Sequence, residues 1–196
     1  MPDSSVPAGW AVIENAIKLG RKTVHPTIGA HVGDLRRRIK EVLPKVAEVG
    51  FQAVEIPAAE GEISPAALST SGRRHLARFV EGLGLSLSVL SADLPGRRLT
   101  DPKTAQERVE RTCAVIQLAR DLHVPVVTSE TGVLTHPDTG APSPLALEGL
   151  ARIGEVADGC AVTFALRTPQ ETGDRTASLL RMLDCPAIGV GFDPAG

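Results

Sequence analysis

Several ionisable side chains of this 196-residue chain stand at or just after the end of a short run of β-favouring residues. His31 closes TIGAH, Glu55 lies near the end of QAVEI, and Arg167 follows AVTFAL. Carboxylates and imidazoles can move protons in catalysis, whereas a guanidinium forms paired hydrogen bonds with carboxylates and phosphates. A ring of such groups is what a site for a small polar substrate requires. The candidates at these run ends are His31, Glu55, Asp93, Glu130, Arg167 and Asp193, with Arg97 in a nearby loop.

Each of these residues also has an ordinary structural interpretation. His31 could be a hydrogen-bonded core histidine, Glu55 could pair with Arg167, Asp93 could be a turn residue, and Glu130 could be a solvated charge. The arginines at the same predicted end of the fold are either solvated surface charges or the start of an anion site. The predicted roles are catalysis by Glu55 and His31, and substrate binding by Arg167, Glu130, Asp93 and Arg97.

The elements that must position these groups alternate regularly along the chain. Parallel strands joined by helical crossovers are the arrangement that such alternation predicts, and it brings the strand ends together. Strands are predicted at about 27–31, 52–56, 85–90, 124–128, 161–166 and 187–192. Helices are predicted from a cap at Asp34 to about Val49, within 65–83, from Asp101 and Pro102 to Leu122, from Ser143 or Pro144 to about Asp158, and over 172–183.

The side-chain pattern within the strands favours a barrel over a doubly wound sheet. In AVTFAL the small Thr163 and Ala165 share a face with Arg167, opposite the large Phe164 and Leu166. Small residues toward an axis and large ones toward outer helices fit a (β/α)8 barrel, and no strand leads into a Gly-x-Gly-x-x-Gly turn. We therefore predict an α/β fold of about six βα units, an incomplete (β/α)8 TIM barrel. Residues 1–26 are predicted to be an N-terminal tail or helix, and 27–196 to be the barrel domain, truncated after its sixth strand.

Composition limits the partners of this chain. Hydrophobic residues make up 42%, the net charge is −2, and the sequence pI is about 6.2. This balance predicts neither nucleic-acid nor membrane binding, and the start of the chain lacks the features of a secretion signal. A cytoplasmic protein with free thiols is the expectation, a Cys160–Cys185 disulfide being the alternative. Assembly into an oligomer is left open.

Several segments together resemble the sugar phosphate isomerase/epimerase family of xylose isomerase-like TIM barrels. GAHVGDLRRRIKEVLPKVAEVGFQAVEI resembles the family's first strand, first helix and second strand, which ends in a glutamate. IGEVADGCAVTFAL resembles the approach to its fifth strand, and IGVGFDPAG resembles its sixth strand, which ends in an aspartate. The opening IGAHV is also similar to apurinic endonucleases, which share this barrel.

The resemblance implies a single divalent metal, Mn, Mg or Zn, in the full-length protein. Its ligands would be a fifth-strand glutamate, a sixth-strand aspartate, a seventh-strand histidine and an eighth-strand glutamate. Asp193 matches the aspartate and is the predicted metal ligand, although a helix cap is an alternative role. Arg167 stands in ALRT where the family has ALET, and a guanidinium cannot ligate a cation. We therefore expect no tightly bound metal in this chain.

Three functions follow from the resemblance and the residues. The first is an isomerase or epimerase that moves a proton next to the carbonyl of a small sugar or sugar phosphate, with a degraded or incomplete metal site. The alternative is a non-catalytic or metal-free barrel that binds a small anionic ligand. A minor alternative, an apurinic-endonuclease-like protein, needs more strand-end histidines and a basic groove than this chain offers.

Overall fold

Strands and helices alternate through the described chain. The structure, a computed structural model, describes residues 27–33 and 38–192. The strands are β1 (Gly29–His31), β2 (Ala53–Pro57), β3 (Ser86–Ser91), β4 (Val126–Glu130), β5 (Thr163–Arg167) and β6 (Ile188–Val190). The helices are α1 (Ile39–Val49), α2 (Thr70–Gly82), α3 (Ala105–Asp121), α4 (Pro144–Cys160) and α5 (Gly173–Leu183), with a short 3-10 helix at Gly61–Ile63 between β2 and α2.

All six strands form one parallel sheet in the order β1-β2-β3-β4-β5-β6. Strands that follow one another in the chain are therefore neighbours in space. A doubly wound sheet reverses direction at a switch point, and this sheet has no reversal within the described residues. The order is that of a (β/α)8 barrel wall, and it confirms the predicted incomplete barrel of about six units.

The two faces of the strands differ as the sequence pattern predicts. On β5, Phe164 and Leu166 are fully buried, and both belong to the core between the sheet and the helices. Ala165 alternates with them and pairs with Gly189 of β6. On β5 and β6 the opposite face is therefore lined by small residues, up to Arg167 at the C-terminal end of β5.

Helix boundaries depart from the sequence expectation at one clear place. Asp101 does not cap α3, which begins four residues later at Ala105. The Asp101 side chain instead accepts from the Lys103 amide at 2.9 Å, and its carbonyl accepts from Thr104 and Ala105. A turn thus precedes the helix. Ser69, Ser143 and Thr172 do cap α2, α4 and α5 through their hydroxyls.

Some expectations lie outside the described residues. These are the N-terminal tail or helix at 1–26, the Asp34 cap of the first helix, and Asp193. Cys113, Cys160 and Cys185 are free thiols, so the alternative of a disulfide between the last two is wrong. None of the helices in the described part of the chain combines the length and apolar character needed to cross a bilayer.

Candidate functional site

The first two strands bring His31 and Glu55 side by side. The two residues are register partners in the β1–β2 pairing, and His31 Nδ1 lies 3.6 Å from Glu55 Oε1. A side chain at Gly33 would meet the imidazole Nε2 at 2.5 Å and Pro57 at 2.8 Å. The glycine therefore leaves the space in which the imidazole lies. This contact unites the two predicted catalytic residues.

Glu55 also bonds across a strand. The Thr128 hydroxyl of β4 donates to Glu55 Oε1 at 2.6 Å, although β3 lies between β2 and β4. Contacts between alternate strands are typical of a barrel interior, where each layer of side chains comes from every second strand. One carboxylate oxygen is thereby fixed, whereas Oε2 has no hydrogen-bond partner among the described residues. The carboxylate is partly exposed, at 20%.

A second pair of side chains also makes contact across an intervening strand, in this case β4. Arg167, at the end of β5, forms an ion pair through Nη2 with Asp93 Oδ2, just after β3. Asp93 also accepts from the Ser91 hydroxyl at 2.7 Å and from the Glu130 amide at 2.6 Å. Burial alone would raise the pKa of Asp93, but these two hydrogen bonds and the Arg167 charge together hold it below its usual value. Asp93 is therefore ionised at neutral pH and anchors the guanidinium.

Arg167 lies between two carboxylates. Besides Asp93, its Nη1 lies 3.9 Å from Glu55 Oε1, so the expected Glu55–Arg167 pairing is present at the outer limit of an ion pair. A Cβ at Gly191 would approach Arg167 Cγ to 3.1 Å, so the glycine gives the arginine stem room against β6. The buried Nε has no hydrogen-bond partner within the described chain.

The other two predicted substrate-binding residues have different positions. The Glu130 side chain is exposed and lines a cavity of about 420 Å³ together with Arg167. Arg97 instead pairs with Glu107 at 3.0 Å and with Glu60 at 3.4 Å. The structure therefore places it in a charge network of the loops, apart from the contacts that join the strand-end groups.

The cavity beside Arg167 extends toward the last described strand. Thr168 and Glu171 contribute polar atoms to its wall, and Leu180, Val190 and Phe192 contribute apolar ones. Its volume falls within the range of small-molecule sites. A ligand that contacts the guanidinium therefore has space on the β6 side.

Sequence reasoning missed three polar residues that organise this site, namely Thr128, Ser91 and Arg108. Thr128 fixes Glu55, Ser91 binds Asp93, and Arg108 is a buried arginine of α3. Thr128 and Ser91 could have been found, because each precedes a candidate by two residues and so shares its face of the strand. Arg108 carries no such signal, because it reaches the strand ends from the helix side.

Comparison with known proteins links this geometry to a family. The model of the family described as xylose isomerase-like TIM barrel matches residues 43–195. No curated protein matches the chain in sequence.

Solved structures of similar fold include a xylose isomerase domain protein from Planctomyces limnophilus, with a TM-score of 0.72 and 17% identity over 86% of this chain and 63% of that one. A xylose isomerase-like TIM barrel protein from Mycobacterium smegmatis in complex with magnesium has a TM-score of 0.60 and 20% identity, covering 79% and 55%. D-psicose 3-epimerase with D-tagatose from Clostridium cellulolyticum H10 has a TM-score of 0.63 and 16% identity, covering 83% and 61%. This chain thus spans less than two thirds of each of these structures.

Proposed function

Because this chain belongs to the xylose isomerase-like TIM barrel family, we propose that it forms an isomerase- or epimerase-like site for a small sugar. The reaction would move a proton at a carbon next to the substrate carbonyl, with Glu55 as the base. The observation that carries the proposal is the position of the Glu55 carboxylate. Its Oε1 accepts a hydrogen bond from Thr128, and its Oε2 has no hydrogen-bond partner in the described chain. A general base needs this combination of fixed position and free oxygen.

The neighbouring imidazole supplies a second proton carrier. His31 Nδ1 lies 3.6 Å from Glu55 Oε1, so a proton taken by the carboxylate has a second proton-carrying side chain beside it. An epimerase or isomerase needs a proton to be removed at one position and returned at the same or an adjacent one. The adjacent side chains of Glu55 and His31, on one side of the site, support this chemistry.

Arg167 is placed to bind the reacting oxygen. Its guanidinium is anchored by Asp93 next to Glu55, and a fixed positive charge there would stabilise the negative oxygen that develops when the proton leaves. Asp93 and Glu55 carry two negative charges against this one cation. This excess of negative charge favours binding of an uncharged sugar beside Arg167 over binding of a phosphate or carboxylate.

The described residues do not fit a divalent metal. One solved structure of the same fold contains magnesium, yet within residues 27–33 and 38–192 no three His, Cys, Asp or Glu side chains are grouped closely enough to hold an ion. Arg167 lies between the two carboxylates that would be nearest such a site. The proposed reaction therefore relies on Glu55, His31 and Arg167.

Proton exchange in deuterated water tests the proposal directly. Unphosphorylated ketoses and aldoses incubated with the protein should incorporate deuterium next to the carbonyl, as followed by NMR. Glu55→Gln keeps the shape of the side chain but removes the base, and should slow exchange by about 100-fold or more. Glu148→Gln, on the exposed face of α4, is the matched control and should exchange at the unaltered rate. Equal exchange by the Glu55 variant would disprove the assignment of the base.

The alternative is a metal-free barrel that binds a small anion without catalysis. The observation in its favour is that Arg167 lines the cavity of about 420 Å³, where a guanidinium is the side chain best suited to bind an anion. Calorimetry with inorganic phosphate separates the two functions. Tight phosphate binding without sugar exchange would support the alternative, and exchange without phosphate binding would support the isomerase-like site.

A further inference from the structure

A fully enclosed arginine lies behind the site. Arg108, on the first turn of α3, is 3% exposed, and its guanidinium reaches between the ends of β3 and β4. Nη1 donates to the carbonyls of Leu94 at 2.9 Å and Arg97 at 3.1 Å. Nη2 donates to Ser129 Oγ at 2.5 Å and to the Glu130 carbonyl at 2.7 Å. One side chain thus ties the loop after β3 to the end of β4.

These bonds continue into the groups at the mouth of the barrel. The Ser129 hydroxyl that accepts from Arg108 donates in turn to the Ala92 carbonyl at 3.0 Å. Glu130, whose carbonyl is held by Arg108, donates its amide to Asp93 Oδ1 at 2.6 Å. Asp93 anchors Arg167. A continuous series of hydrogen bonds therefore runs from α3 to the guanidinium beside Glu55.

The charge of Arg108 makes this arrangement unusual. All four acceptors are uncharged, and no carboxylate lies within ion-pair distance of it in the described chain. Burial lowers the pKa of the Arg108 guanidinium, and the negative charges of Asp93 and Glu130 partly oppose this effect. Burying a charge without a paired ion is costly, and a neutral apolar side chain would pack here without that penalty. The four hydrogen bonds and the charges of Asp93 and Glu130 offset part of this cost, and the same hydrogen bonds hold the two loops together.

We propose that Arg108 is a positioning residue for the candidate site, because its planar fork sets the spacing between the β3 and β4 ends and so fixes Asp93 against the Glu130 amide and Arg167. The inference rests on the proposed function only in taking Asp93 and Arg167 as parts of the site. A lysine cannot replace this role, because an ammonium is a point donor and cannot serve acceptors on both loops in the geometry of a guanidinium.

Arg108→Lys is the decisive variant, and Arg111→Lys is its matched control. Arg111 lies on the same helix but pairs at the surface with Glu60 and Glu107. The Asp93 carboxyl is followed by carbon-13 NMR against pH, and the Glu130 amide by nitrogen-15 NMR. In Arg108→Lys the Asp93 midpoint should rise, because the weakened amide bond no longer favours the ionised form. Sugar proton exchange should fall by about tenfold or more, and Arg111→Lys should change neither measurement.

The outcomes separate this proposal from the proposed function. A shifted Asp93 midpoint in a protein whose unaltered form exchanges no sugar proton supports the positioning role and refutes the isomerase-like reaction. An Arg108→Lys protein with unchanged Asp93 midpoint and unchanged Glu130 amide refutes the positioning role. If that variant does not fold, Ser129→Ala removes one link while keeping the arginine. It should raise the Asp93 midpoint by a smaller amount, and an unchanged midpoint there also refutes the proposal.

Discussion

At the level of single residues, one guanidinium is shared by carboxylates from different strands. Arg167 forms an ion pair with Asp93 and lies 3.9 Å from Glu55 Oε1. The same two carboxylates would attract a divalent ion if the guanidinium were absent. A unit charge 4 Å away contributes about 4 kcal/mol at an effective dielectric constant near 20, whereas 1.4 kcal/mol changes affinity tenfold. We therefore expect the charge at position 167 to have a large effect on the affinity of the barrel mouth for a divalent ion.

Replacing that cation by a carboxylate should create metal affinity. Arg167→Glu removes the opposing charge and adds a ligand beside Glu55 and Asp93, so it should bind Mn²⁺ or Zn²⁺ at least about tenfold more tightly than the unaltered protein, as measured by calorimetry. Arg167→Met is the control, because it removes the charge without adding a ligand, and its gain should be smaller. Micromolar binding by the unaltered protein, with no gain in Arg167→Glu, would show that our interpretation of the fifth strand is wrong.

The sequence predicted which residues stand at the strand ends better than it predicted their partners. His31, Glu55, Asp93 and Arg167 could be placed together because strand period and parallel topology fix where a side chain emerges. The sequence predicts that Arg167 pairs with Glu55, whereas its shortest ion pair among the described residues is with Asp93. The difference arises from the stagger of strands in a barrel, which sets contacts between alternate strands and has no counterpart in local sequence pattern.

At the level of elements, α3 and α4 pack closely because α4 carries glycines on its buried face. A Cβ at Gly149 would lie 3.0 Å from Val109 Cγ2 of α3, and one at Gly154 would lie 2.7 Å from Cys185 Sγ and 3.1 Å from Ile188 Cδ1. Gly159, on the same helix, faces open space. The buried glycines therefore set how closely α4 approaches its neighbours.

Alanine substitution of these glycines should have opposite effects on stability. Gly159→Ala should raise the free energy of unfolding by about 0.5–1 kcal/mol, because alanine loses less backbone entropy in a helix. Gly154→Ala gains the same term but crowds Cys185 and Ile188, and overpacking costs about 1–3 kcal/mol. Urea unfolding of both variants measures the difference. Equal stabilisation by the two changes would show that the close approach at Gly154 is not a constraint.

The pairing register of β3 is a feature that could not be predicted from the sequence. The sequence predicts a strand at 85–90 but not its register: the β2–β3 pairing shifts between Val54 and Glu55, so Glu55 partners Val89 while Val54 partners Leu87. One extra residue of β3 stands opposite this point of β2, and such an insertion reverses the face on which later side chains emerge. Two adjacent apolar residues, Val89 and Leu90, were the available signal. Cross-strand register itself depends on the partner strand and cannot be derived from one segment.

At the level of the whole molecule, the sheet has two lateral edges in its described part. β1 pairs there only with β2, and β6 only with β5. Large apolar side chains are exposed along both edges, with Ile28 at 66%, Val190 at 50% and Phe192 at 86%. Unpaired strands that expose apolar side chains promote association with other chains.

The 196-residue chain should therefore self-associate through these edges. Sedimentation velocity should show species larger than the monomer, and the double change Val190→Lys and Phe192→Lys should shift the distribution toward monomer, because charges at an edge oppose pairing. Val49→Lys is the control, because Val49 is 75% exposed but lies at the end of α1 and not on a strand. A cooperatively melting monomer at all concentrations would contradict this prediction.

Two contacts join side chains across an intervening strand, Glu55 with Thr128 and Asp93 with Arg167. They determine what each piece would contain if the barrel were produced as two separate fragments. A break in the chain after β4 would leave a fragment that carries Glu55 together with the threonine that holds it. The same fragment would carry Asp93 without its cation, which would remain with the second piece. A break between β3 and β4 would separate both pairs. The proposed base, Glu55, would thus stay with its hydrogen-bond partner in a half-barrel, whereas the Asp93–Arg167 ion pair would form only when the two halves associate.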